Sequence, residues 1–143
     1  MFNPKKEVPS LELCKKLKEL GYSQEGGGWY WISFGEEYNL FFQTELEFDE
    51  KGKIWGVHTE AGLSEPFDYV KAPTVRELGE WLPDFTASFK EQTWWECHTN
   101  IWLEKDKKHT VEVNNTEANA RAKMLIWLVE NNYINFKREV NHE

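Results

Sequence analysis

Apolar residues recur along this chain with two periods. The longest helical run covers residues 116–131, TEANARAKMLIWLVEN. Ala118, Ala122, Leu125 and Val129 stand four, three and four residues apart, which is one face of a 3.6-residue turn. Met124, Ile126, Trp127 and Leu128 widen that stripe until the second half is apolar almost all round, so this end is predicted to be covered on more than one side. Thr116 suits the N-cap, because its hydroxyl accepts from a first-turn N–H, and Glu117 places negative charge at the positive end of the dipole. Ala118, Ala120 and Ala122 have no side-chain entropy to lose and permit close approach of a neighbouring backbone. Asn131-Asn132 supplies a polar stop that tolerates left-handed backbone.

Two shorter helices are predicted upstream. Ser10 caps residues 11–20, with Leu13, Cys14, Leu17 and Leu20 inward, Lys15, Lys16 and Lys18 outward, Gly21 as the C-terminal glycine and Tyr22 folding back. Thr74 and Glu77 form a T-x-x-E capping box ahead of Val75, Leu78, Trp81 and Leu82, and Pro83 ends that helix. Strand-like runs occupy residues 29–34, 39–48, 53–58, 67–71, 85–90, 94–103 and 108–113, with a hairpin turn at Asp49-Glu50-Lys51-Gly52. Residues 1–9 read as an extended lead-in, 61–66 as loop, and 133–140 as a tail able to add an edge strand. Strands joined by short turns point to antiparallel or mixed pairing rather than a doubly wound sheet. The expectation is an α+β fold in a single domain, residues 1–143, with one antiparallel or mixed sheet of about five to seven strands and three helices packed on it.

Composition changes that picture in two ways. Aromatic residues make up 15% of the chain and include eight Trp, more than a small core readily absorbs, so one or two are expected at the surface. The net charge of −8 argues against direct contact with nucleic acid, which needs a basic footprint. It suits mimicry of nucleic acid or a basic protein partner, and also plain solubility. Cys14 and Cys97 lack ligand-like spacing, the opening MFNPKKEVPS lacks an apolar signal core, and no stretch is long enough to span a membrane. These features read as a cytoplasmic protein with two free thiols, Cys14 buried.

Candidate chemistry is sparse. Gly26-Gly27-Gly28 lacks the preceding strand and the GK[ST] of a phosphate loop, and reads as a turn. Cys97 and His98 are predicted on opposite faces of a strand, and His98 with His109 makes only two ligands, so no metal site is assigned. No catalytic residue and no cofactor is assigned. A binding surface is the better expectation. Trp29, Trp31 and Trp94 offer flat stacking faces, while Arg76 and Arg121 are suited to forked contacts with phosphate. Arg121 and Lys123 diverge by about 200° on a helix and so cannot serve one phosphate together. The structural alternative weighs more for Arg121: an ion pair across a packing seam. The alanine-rich front of the long helix is a further candidate, as an oligomer seam.

Three segments, PSLELCKKLKELG, APTVRELGEWLP and TEANARAKMLIWLVENN, together resemble a family of small proteins encoded by phages and prophages of Firmicutes. The resemblance covers the three predicted helices and implies a shared fold and a phage setting, and it transfers no catalytic residue. The expected function is that of a phage accessory protein in the bacterial cytoplasm that acts by binding in counter-defence, either sequestering a nucleotide signal or inhibiting a host defence protein as an acidic binder. A small hydrolase or nucleotide-modifying enzyme is the alternative.

Overall fold

In the computed structural model, which describes residues 3–83, 86–91, 94–101, 107–113 and 116–136, each predicted helix starts at its capping residue. An additional short helix, α1 (Pro4–Glu7), replaces the extended lead-in, because Asn3 accepts from Lys5 N–H and Pro4 is pre-set for a first turn. Ser10 Oγ accepts from Leu13 N–H to open α2 (Leu11–Glu19). The Thr74–Glu77 capping box is closed in both directions, at 3.2 and 2.9 Å, and opens α3 (Val75–Gly79). Thr116 Oγ1 accepts from Asn119 N–H at the start of α4 (Glu117–Glu130). α3 is shorter than expected. Trp81 and Leu82 donate to Leu78 and Gly79, three residues back, as the chain tightens before Pro83 disfavours helical backbone at Leu82.

Two helix ends use the same lock. In α2 the N–H of Gly21 (φ 105) reaches Lys18 O and that of Tyr22 reaches Leu17 O, with Tyr22 packed in the same cluster as Leu17. In α4 the N–H of Asn132 (φ 66) reaches Val129 O and that of Tyr133 reaches Leu128 O. Residues 133–136 therefore turn back to bury Phe136 and form no strand; residues 137–140 of the predicted edge lie outside the described ones.

The expected single sheet is replaced by three, each antiparallel and three-stranded among the described residues. The first has order β2-β1-β6, from β1 (Trp29–Ser33), β2 (Tyr38–Phe42) and β6 (Asp68–Ala72). The second has order β3-β4-β5, from β3 (Leu46–Phe48), β4 (Ile54–Thr59) and β5 (Gly62–Ser64). The third has order β7-β8-β9, from β7 (Ala87–Glu91), β8 (Trp94–Ile101) and β9 (Lys107–Val113). The run expected at 39–48 is cut by a 3-10 turn, Gln43–Glu45, and its halves join different sheets. Gln43 causes the break: its N–H donates to Gly28 O at 2.9 Å and its Oε1 accepts from Gly28 N–H at 2.5 Å. The expected loop at 61–66 contains β5, paired to β4 through the Thr59–Gly62 turn.

The other helices and the third sheet pack around α4, and the first sheet stacks between α2 and the second sheet. Tyr30 and Ile32 of β1 face the second sheet and cluster with Leu46, Ile54 and Val57. Trp29 and Trp31, on the alternate face, pack with Val8, Cys14, Val70 and Ala72 beneath α2. Ala122, Leu125 and Ile126 of α4 join Leu17 and Leu78 from α2 and α3. Ala120, Met124 and Leu128, round the helix, join Cys97 and Val113 of the third sheet. The open edge of β6 is plugged by side chains. Gln24 Oε1 accepts from Lys71 N–H at 2.7 Å, and Lys18 Nζ donates to Tyr69 O at 2.9 Å.

Candidate functional site

The five residues expected to bind a ligand do not share a pocket among the described residues. Trp29 and Trp31 do lie together, but in the layer under α2: the Trp29 ring is 4.8 Å from that of Phe42, and Trp31 Nε1 donates to Pro9 O at 3.4 Å. Trp94 lies on the outer face of the third sheet, its Nε1 donating to Glu96 Oε2 at 2.8 Å. Arg76 is exposed on α3. Arg121 is enclosed at the joint of α3, α4 and β7, where Nη1 donates to Val75 O and Nε to Ser88 Oγ, each at 3.2 Å, and Nη2 pairs with Glu117 at 3.3 Å. Glu117 in turn accepts from the Ser88 hydroxyl. The ion pair thus lies within α4, four residues apart, rather than across a packing seam as expected, and it is the hydrogen bonds to Val75 and Ser88 that cross the joint. The alanine front is likewise occupied within the chain, with Ala118, Ala120 and Ala122 all fully buried.

Three other constellations emerge. The first is Lys71 on β6, only 4% exposed. Its ammonium stands 4.9 Å over the Tyr30 ring, donates to Gly27 O and lies 3.9 Å from Glu77 Oε2, the carboxylate that also closes the α3 cap. Burial holds the Lys71 pKa below its ordinary value, with Glu77 opposing. A lowered lysine is a candidate nucleophile in a cleft, but this one is tied to the triple-glycine turn, and its geometry is that of a clamp on residues 26–28.

The second runs along the solvent face of β8. Glu96 accepts from Trp94 Nε1 and meets His98 Nε2 at 2.8 Å, and the His98 ring lies edge-on to Phe89 at 5.5 Å. The Trp94 hydrogen bond, then that of His98, keeps the Glu96 carboxyl below the usual range. Cys97 lies on the opposite face, fully buried, as alternation predicts. The ladder sets His98 opposite Thr110 and His109 opposite Thr99, so the histidines are not cross-strand partners. Among the described residues no group of three or more His, Cys, Asp or Glu is placed to hold a metal ion.

The third is aromatic and exposed. Phe67 is 77% exposed and Phe34 44%. Phe67 N–H donates to Ser33 O at 2.8 Å, which brings the two residues to the same end of the first sheet, and the Phe34 ring sits edge-on to Phe41 at 6.2 Å. The sequence signal was present in part: Phe34 continues the alternate row Tyr30 and Ile32, whereas Phe67 read as the start of a strand. A shallow open groove of about 290 Å³, lined by Trp81, Pro83, Tyr133, Ile134 and Asn135, contains none of the five expected residues.

Comparison of the chain with protein-family models, with curated proteins and with solved structures returns no match. The functional reading therefore rests on these residues. No described helix is long and apolar enough to cross a membrane.

Proposed function

We propose that this chain is a phage-encoded accessory protein that acts by binding a host protein, in counter-defence. The observation that carries the reading is Phe67, at 77% the most exposed of the large apolar side chains among the described residues. Buried aromatic anchors dominate protein interfaces, and an exposed ring whose backbone is fixed at a sheet end is the free form of such an anchor. The net charge of −8 supports a protein partner over nucleic acid. The three helical segments that resemble phage and prophage proteins support the setting.

Sequestration of a nucleotide signal is the second mode. It draws on the groove beside Trp81 and Tyr133, which offers aromatic faces but no cationic side chain among the described residues of its lining. A thermal-shift panel of cyclic and NAD-derived nucleotides, run beside affinity capture from a host lysate with partner identification, separates the two. Capture of one host protein with no nucleotide shift is the expected result. A nucleotide at a hundred times its Kd adds about 2.7 kcal/mol of stability, and a shift of that scale without protein capture overturns the protein-directed reading.

A further inference from the structure

The row Tyr30, Ile32, Phe34 on one face of the first sheet starts fully buried and ends in the open, at 0%, 0% and 44% exposure. The row thus runs out to solvent at Phe34, and Phe67 stands exposed at the same end of the sheet. The exit is built rather than frayed. Ser33 is 1% exposed, its Oγ accepts from Gly35 N–H at 3.0 Å, and its carbonyl takes the Phe67 N–H, so the turn after β1 and the entry to β6 are held together.

The charge around this exit has one sign. Glu36 and Glu37 in the turn after Phe34, and Glu65 just before Phe67, are exposed and form no ion pair among the described residues. Lys15 and Lys18 of α2 lie on the opposite face of the sheet and are engaged there. Lys15 Nζ lies 4.6 Å over the Tyr38 ring, and Lys18 Nζ is 3.6 Å from Asp68. An apolar centre rimmed by unpaired carboxylates selects its occupant. Anionic lipid and nucleic acid are repelled. A second copy docking face to face brings the same three carboxylates against themselves. A cationic protein segment meets both demands, through apolar contact at the rings and opposite charge at the rim.

We propose that the Phe34–Phe67 end of the first sheet is the docking surface for a basic segment of a partner protein, which lays apolar side chains on the exposed Phe34 and Phe67 while its Lys or Arg residues face Glu36, Glu37 and Glu65. This rests on the protein-binding reading above and adds the contact and the chemistry of the partner.

The test uses the full chain and short fluorescein-labelled peptides of three compositions, Lys/Leu, Lys/Gly and Glu/Leu, read by anisotropy at low and high salt. The Lys/Leu peptide binds tightest, and its binding weakens with salt. Phe67→Ser weakens it roughly thirtyfold, the scale of an interface hot spot. Replacing Glu36, Glu37 and Glu65 together by Gln removes most of the salt dependence, while Phe89→Ser, an exposed aromatic of the third sheet, changes nothing. Because Phe67 is so exposed, the variant keeps the wild-type melting temperature, which thermal unfolding checks. Equal binding of the Glu/Leu peptide, or indifference to Phe67→Ser, overturns the proposal. A wild-type dimer that Phe67→Ser dissociates makes the occupant a second copy, with the same consequence. Host-protein capture that persists in Phe67→Ser overturns this surface and leaves the binding reading standing; loss of capture and peptide binding alike in the wild type removes both.

Discussion

Both thiols are fully buried, and burial is the main influence on their acidity. It pushes Cys14 up to about 12, against a contrary hydrogen bond with Trp31, and Cys97 up to about 11, with Arg121 pulling down and Glu117 pushing up. The folded chain therefore holds two protons that an unfolded chain releases near 9.0. The stabilisation this represents is complete below that value and is lost as pH climbs through 11 and then 12. Tyr22 and Tyr30, both raised by burial, act in the same direction. Urea unfolding is expected to show lower stability at about pH 10 than at about pH 8, and a Cys14→Ala/Cys97→Ala variant to flatten the drop. Stability unchanged across that interval contradicts the burial assigned to these residues. The inward position of Cys14 was legible from its place in the α2 stripe. Lys71 was not, because a lysine in a strand run gives no sign that a glycine turn will close over its amine.

At the scale of elements, the joint between α3 and α4 has one keystone. Arg121 ties Val75, Ser88 and Glu117 together, and it passes so close to Gly79 that a Cβ there would stand 2.5 Å from Nη1. Arg121→Ala is expected to cost about 1–3 kcal/mol, as hydrogen-bonded partners are left without it. Gly79→Ala alone displaces the guanidinium and destabilises, whereas in the Arg121→Ala background the same change gains up to about 1 kcal/mol from helix propensity. Denaturant titrations of the double-mutant cycle check this, and single effects that add to within about 0.5 kcal/mol contradict the joint. Helix starts and stops were largely readable, since caps are local chemistry: Ser10, Thr74, Thr116, Gly21 and Asn132 each act where they stand in the sequence. The role of Arg121 required knowing which backbone carbonyl and hydroxyl the fold would bring to it. The assignment to a binding surface drew on residue type alone.

The molecule as a whole hangs on a helix with two loaded sides. Leu125 and Met124 are neighbours in sequence, yet one belongs to the cluster with α2 and α3 and the other to the cluster with the third sheet. Each truncation to Ala is expected to cost about 2–5 kcal/mol. Because α4 serves both clusters, tryptophan fluorescence and far-UV circular dichroism should lose signal together in urea for the wild type and both variants. Separate transitions would mean that the layers fold independently. The over-apolar second half of α4 announced this double coverage. The division into three sheets was hidden, because alternation tells which side of a strand is buried but not which neighbour buries it. Gln43 decided it by bonding to Gly28, a contact fifteen residues away. The plugged edge of β6 carries a different consequence. A bare strand edge invites a neighbouring molecule to add its own strand, the first step of fibril growth. Gln24 and Lys18 occupy two of those backbone groups on β6, so that edge is closed to an added strand by side chains of its own chain.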